Sequence, residues 1–176
     1  MKKFFALLFA LLVVTIGATA QQQVTFADLP LIAQPAPVAN GYGGLNWSNF
    51  WYVDPNQYQG AGLGYRNMFT RRDVAFVGGQ SCAPVSRGCY GTIRSMGVHG
   101  AIQLESAMMA AGFATHQITM LAYRNGTYVG SFNVVLSTNP QCFMFPATWG
   151  TITELQIRTD EPGDFVVFWL SYYIVM

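Results

Sequence analysis

Charge is the scarcest commodity in this sequence. Only 10% of its 176 residues are charged, against roughly 25% in an average soluble domain. Combined with 52% hydrophobic content, that excludes a solvated, disordered chain. Lysine is rarer still: Lys2 and Lys3 are the only two, so beyond residue 3 seven arginines face eight carboxylates. Affinity for a phosphate backbone comes largely from clustered Lys and Arg, so nucleic acid is not an expected partner. There is no long internal apolar run, no repeat and no low-complexity tract.

Catalytic groups are equally sparse. Nucleophilic catalysis needs a base within reach of the nucleophile, and the only histidines, His99 and His116, stand in no triad context; no G-x-S-x-G is present. Both read as structural or surface histidines. Glycoside hydrolysis needs two carboxylates about 5–10 Å apart. Asp160, Glu161 and Asp164 instead cluster around a Pro-Gly turn, and Asp28, Asp54, Asp73, Glu105 and Glu154 are scattered. The expectation is a protein without a catalytic centre, a hydrolase being the weaker alternative.

The first twenty residues read as an export signal. Lys2 and Lys3 form a positive start, Phe4 to Ile16 an apolar stretch, and Ala18-Thr19-Ala20 a small-x-small cleavage pattern. The apolar stretch is shorter than the about 20 residues that span a bilayer. Cleavage after Ala20 leaves residues 21–176 as one secreted domain with no transmembrane segment. A second apolar run, Phe165 to Met176, is rich in β-branched and aromatic residues and reads as a strand buried on both faces.

Turn residues recur every eight to twelve positions, from Pro35-Ala36-Pro37 through Gly41 to Gly44, Asp54-Pro55-Asn56, Gly60 to Gly64, Asn125-Gly126 and Asn139-Pro140. This rhythm points to an all-β sandwich or barrel. Expected strands are 24–26, 45–53, 73–77, 99–104 and 151–158, with a hairpin from 117–123 to 128–136 around Asn125-Gly126, a dipeptide suited to a tight primed turn. On 151–158, Thr153, Leu155 and Ile157 share one face and Glu154, Gln156 and Arg158 the other. Leu104 to Phe113, rich in Ala and Met, fits a short helix or a bulged strand.

Three cysteines are an odd number for an oxidising compartment. Cys82 and Cys89 bracket a Pro/Gly loop and are the expected disulfide, which on the chain-entropy model removes about 2.5 kcal/mol of unfolded-state entropy. Cys142 is then a buried thiol, the favoured reading, or an intermolecular partner. Asn46-Trp47-Ser48 and Asn125-Gly126-Thr127 are glycan acceptor patterns in a eukaryotic secretory route.

Aromatic residues crowd residues 42–65. In one continuous strand Trp47, Trp51 and Val53 would share a face, with Phe50 and Tyr52 opposite. Exposed apolar patches often mark binding sites, and aromatic rings can stack on sugar rings. Trp51, Tyr58 and Tyr65, with Asn56, Gln57 and Arg66 as hydrogen-bonding neighbours, are therefore the candidate ligand-binding residues; Trp47 and Trp169 read as core.

The segments Phe26-Ala27-Asp28-Leu29, Asn40 to Phe50 (NGYGGLNWSNF), Ala122 to Thr127 (AYRNGT), Trp149 to Ile157 (WGTITELQI) and the closing hydrophobic strand resemble a set of secreted proteins found among fungal extracellular proteins and bacterial exported proteins of the PEP-CTERM type. The resemblance spans most of residues 24–175. It implies a jelly-roll-like antiparallel β-sandwich similar to carbohydrate-binding modules, with a polysaccharide or surface glycan as partner; a structural or protein-interaction role in a matrix or wall is the alternative. Such sequences commonly carry an acidic pair before the last strand that could join the early aspartate around calcium. Here Phe168-Trp169 stand near that point, which argues against a calcium site at Asp28 and leaves no expected cofactor. The C-terminal sorting motif of the PEP-CTERM type is also absent from the sequence.

Overall fold

The structure is a computed structural model that describes residues 20–67, 74–77, 90–97, 100–159 and 164–175. Among these, twelve strands form two antiparallel sheets packed face to face, so the chain is the all-β, jelly-roll-like sandwich expected. The strands are β1 (Gln21–Val24), β2 (Ala36–Pro37), β3 (Leu45–Ser48), β4 (Phe50–Val53), β5 (Val74–Val77), β6 (Tyr90–Ser95), β7 (Ala101–Ala111), β8 (His116–Arg124), β9 (Thr127–Leu136), β10 (Gln141–Met144), β11 (Glu154–Thr159) and β12 (Phe165–Val175). One sheet has the order β10-β7-β12-β5-β4-β2, with β1 also on β12; the other runs β3-β6-β11-β8-β9. No helix among the described residues is long and apolar enough to cross a membrane.

Period-2 alternation builds the core between the sheets. Leu155 and Ile157 from β11, Ile118, Met120 and Ala122 from β8, and Ile93 from β6 meet Met109, Phe165, Val167, Leu170 and Tyr172 from the larger sheet. The closing apolar run is β12, a central strand flanked by β7 on one side and by β5 and β1 on the other. Before the register shift at Val167/Trp169, Phe165 and Val167 feed the inner cluster and Val166 and Phe168 the outer one; after it Leu170 and Tyr172 point inward, and with both faces covered the run has little polar alternation.

The Leu104–Phe113 question is decided in favour of the bulged strand. β7 pairs with β12 along its whole length, with register shifts between Val167 and Trp169 and between Ser171 and Tyr172. Packing on both faces of a central strand outweighs the helix propensity of Ala and Met.

Two strand expectations are corrected. Residues 45–53 are not one strand: Asn49 sits at φ 61°, and there the chain leaves β3, paired with β6, for β4, paired with β5 in the other sheet. Asn tolerates the left-handed region better than most residues. The switch resets the alternation, so Trp47 and Phe50, expected on opposite faces, meet edge to face at 5.1 Å in the same core. Residues 24–26 likewise do not continue as a strand, because Phe26 turns at φ 58° and buries its ring against Tyr42 and Trp47.

The stretch Tyr42 to Trp47 within the Asn40–Phe50 segment is thus a packing device. Trp47 Nε1 donates to the Tyr42 carbonyl at 2.8 Å, and Gly43, at φ 61°, leaves no room for a Cβ, which would lie 2.2 Å from Val24 Cγ2. Tyr172 donates its hydroxyl to the Gly43 carbonyl, and burial raises that phenol to about 12. The Asn125-Gly126 turn has φ values of 50° and 79°, the two positive angles a primed turn requires.

Candidate functional site

The sequence-predicted ligand residues lie over the outer face of the seven-stranded sheet, where residues 54–67 fold down as a cover. Asp54, buried, organises this segment: its Oδ1 accepts the Asn56 N–H at 2.9 Å and its Oδ2 accepts Gln57 Nε2 at 2.8 Å. A short helix, α1 (Leu63–Arg66), follows, and Gly64 N–H donates to the Gly112 carbonyl at 3.0 Å. Beneath it Tyr65, Val74, Phe76, Val166 and Phe168 form a second apolar cluster, with Trp51, Tyr58, Met108 and Trp169 half-buried at its margin.

Tyr65 is a correction. It is 1% exposed, its ring is edge-on to Phe76 at 5.4 Å, and its hydroxyl is 3.2 Å from Asp164 Oδ2; burial first, then the Asp164 charge, pushes its phenol well above the usual range. No stacking face is left for a sugar. Trp51 and Tyr58 present part of their rings, the Gln57 amide is held by Asp54, and Asn56 and Arg66 are exposed. The structure therefore brings the six residues into one region without making them one surface.

Trp47 is buried, as expected, while Trp169 is half-buried. His116 is 8% exposed with Nδ1 2.9 Å from the Ala114 carbonyl oxygen; His99 lies outside the described residues. So do Cys82 and Cys89, with the disulfide expected between them, and residues 1–19 of the export signal. Cys142 is corrected: it is exposed, because Phe143 takes the inward position on β10 and packs against the core. Asp28 is exposed, and its carboxylate accepts the Tyr42 hydroxyl beside an open groove of about 530 Å³ lined by Gln23, Thr25 and Gly41. Among the described residues no three His, Cys, Asp or Glu side chains come together as a metal-ligand group.

The opposite side of the molecule carries a surface of another kind. On the five-stranded sheet the residues that alternate with the core face outward in register. One row across the strands is Asn46, Arg94, Glu154, Tyr123, Tyr128; the next is Ser48, Thr92, Gln156, Leu121, Ser131, with Thr92 itself buried; a third is Tyr90, Arg158, Thr119, Asn133. Arg94 Nε donates to Glu154 Oε2 at 2.8 Å and Gln156 Nε2 to Glu154 Oε1 at 2.7 Å. Burial pushes the Glu154 carboxyl up, but the hydrogen bonds from Arg94 and Gln156 and the Arg94 charge outweigh it and hold the group below its usual range. Tyr123 and Tyr128 meet edge to face at 5.9 Å, and Tyr90 and Tyr128 are 54% and 55% exposed.

The face continues into a pocket of about 210 Å³ lined by Arg94, Ser95, Gly97, Gly100, Asn125, Thr153 and Glu154. Its wall is fixed by backbone contacts: Asn125 N–H donates to Thr153 Oγ1 at 2.9 Å, and Arg124 donates to the carbonyls of Thr151 and Trp149 at 2.6 and 3.0 Å. The surface offers amides, hydroxyls, one paired carboxylate and tyrosine rings, a donor and acceptor set suited to a polyhydroxylated ligand. The sequence signal for it was the polar half of the 154–158 alternation and the tyrosines flanking Asn125-Gly126. Both sequons touch this side: Asn125 is exposed at the hairpin tip and Asn46 is half-buried opposite Arg94.

No protein-family model and no curated protein matches this chain. Among solved structures it is similar to the K2 cleaved adhesin domain of Lys-gingipain, at 8% identity and a TM-score of 0.49 over 89% of this chain and 100% of that one. It is also similar to the carbohydrate-binding module TmCBM61 in complex with β-1,4-galactotriose, at 10% identity and a TM-score of 0.42 over 74% of this chain and 87% of that one. A third similarity is to the CBM22-1–GH10 modules of Clostridium thermocellum xylanase 10B complexed with xylohexaose, at 12% identity and a TM-score of 0.39 over 74% of this chain and 26% of that one.

Proposed function

We propose that this protein is an exported, non-catalytic glycan-binding module that holds a saccharide chain on the outer face of its five-stranded sheet. The observation that carries the reading is the in-register array of Arg94, Glu154, Gln156 and Asn133 bordered by Tyr90, Tyr123 and Tyr128. Rings supply apolar faces for sugar C–H groups, and the Arg94, Glu154 and Gln156 network holds its polar groups in fixed orientation before any ligand arrives, which limits the ordering cost of binding.

Binding of the protein to a panel of soluble and insoluble polysaccharides, followed by affinity electrophoresis and tryptophan fluorescence, tests this. Saturable binding that Tyr123→Ala and Tyr128→Ala weaken by about tenfold or more, with Trp51→Ala near the unaltered affinity, is the expected result. Loss on Trp51→Ala or Tyr58→Ala with Tyr123→Ala unaffected would return the site to the 51–66 segment. A second reading, an interaction protein of a wall or matrix, draws on the exposed thiol of Cys142; a Cys142-dependent dimer on non-reducing electrophoresis would favour it.

A further inference from the structure

We propose that Cys142, Met108 and Met144 form a soft-metal site that takes monovalent copper. Cys142 stands directly opposite Met108 in the β10–β7 register, and Met144 is two residues further along β10, the edge strand of its sheet. All three lie on the outer side of that sheet: Phe143 and Met109, their neighbours in alternation, belong to the inner core, while Met108 borders the outer cluster. Directly opposed cross-strand residues have Cβ atoms about 4.5–5.5 Å apart, and residues two apart on a strand lie about 6.6–6.8 Å apart. Unbranched methionine side chains with three rotatable bonds span such gaps readily.

Exposure supports a role for these groups. Cys is among the most buried residue types, yet Cys142 is exposed, and Met144 is 64% exposed beside it. One thiolate with two thioethers is a soft donor set that selects Cu(I). Zinc is less suited, since its sites use N, O and thiolate donors, usually four, and no group of three His, Cys, Asp or Glu exists among the described residues. On binding, the Cys142 thiol loses its proton to solvent and the S–H bond is replaced by S–Cu, with no change of oxidation state. The thiolate and Cu(I) cancel in charge, which fits a neighbourhood containing Met108 and the half-buried Trp169 in the same row.

The test is anaerobic titration of the full chain with Cu(I), supplied as its acetonitrile complex, against a chromophoric Cu(I) chelator, following sulfur-to-copper absorption in the ultraviolet. Parallel titration of Cys142→Ser subtracts any copper held by Cys82 and Cys89. One copper per chain in the difference is expected. Met108→Leu and Met144→Leu should each weaken it at least about tenfold, the size that even outer-shell changes reach, while Met96→Leu, an exposed methionine elsewhere, leaves it unchanged. No difference between the unaltered chain and Cys142→Ser would overturn the proposal. So would Met108→Leu and Met144→Leu both binding like the unaltered chain, since that means a bare thiol. The readout is independent of saccharide binding, so the glycan reading stands or falls separately.

Discussion

The outer faces of the two sheets began with the same pleated geometry and ended as opposites. On the seven-stranded sheet the outward residues are apolar, Val74, Phe76, Val166 and Phe168, and the chain lays residues 54–67 across them with Tyr65 as the deepest ring. On the five-stranded sheet the outward residues are polar: Arg94 and Asn133 are exposed and Glu154, Gln156 and Thr119 half-exposed. The aromatic-rich stretch 42–65 is divided between two cores: Tyr42, Trp47 and Phe50 join the one between the sheets, and Trp51, Tyr58 and Tyr65 the one on this outer face of the seven-stranded sheet. The face we propose for a ligand is the one whose rings are few and interleaved with amides and hydroxyls.

The sharpest way to break this contrast is to truncate one ring from each face. Tyr65→Ala should destabilise the fold by about 3–5 kcal/mol, the usual range for removing a buried aromatic, measured by denaturant unfolding. Tyr128→Ala, on the open face, should stay within about 0.5 kcal/mol while weakening polysaccharide binding. Equal losses of stability would mean that the open face is not open.

A smaller effect is expected from tightening the cover. A Cβ at Gly64 would lie 1.7 Å from the Ala111 carbonyl oxygen, backbone that cannot rotate away, so Gly64→Ala should lift α1 and cost about 1–3 kcal/mol. Increased proteolysis within 54–67 would accompany it. Gly126→Ala probes the open side: nothing lies within 4 Å of its Cβ position, and only the positive φ of 79° opposes it, so about 1 kcal/mol is expected, with the hairpin intact by circular dichroism.

The two faces also differ in how their carboxyl groups respond to pH. Burial raises the Asp164 carboxyl above its usual range, outweighing the hydrogen bond from Tyr65 and the charge of His116. A carboxyl raised in the folded state stabilises below its unfolded value of about 3.9 and loses that contribution as pH rises through the folded value. Asp164→Asn should therefore raise the unfolding midpoint at pH 7, and the gain should shrink on acidification and vanish below about pH 4. Glu154, held low on the open face, has the opposite sign: its contribution is present above its unfolded value and lost as pH falls. Glu154→Gln should lower the unfolding free energy at pH 7 by the small amount typical of an exposed pair, about 0–1 kcal/mol.

Much of this architecture was legible in the chain itself. Asn125-Gly126 announced the β8–β9 hairpin because few residues adopt two successive positive φ angles. Leu155 and Ile157 alternating with Glu154, Gln156 and Arg158 announced a half-buried strand, and the apolar run of β12, interrupted only by Ser171, a doubly covered one. These are local facts, fixed by backbone sterics and by the period of the pleat. The site was less legible. Trp51, Tyr58 and Tyr65 look alike in a sequence, and only the packing of residues 54–67 on Phe76 and Phe168 separates a buried tyrosine from a partly exposed one. Cys142 read as a buried thiol because nothing in its neighbours says that Phe143, one position on, points inward.

Strand content, the tight turn and the scarcity of charged groups follow from the residues alone, since each depends on a residue and its near neighbours. Allegiance came from long-range packing: Asn49 sends Trp47 and Phe50 to different sheets, residues 54–67 cover one face, and Arg94, Glu154 and Tyr123 converge on the other from β6, β11 and β8. The reason is that strand order and sheet pairing join residues dozens of positions apart, and a register choice of a single residue exchanges the buried face for the exposed one.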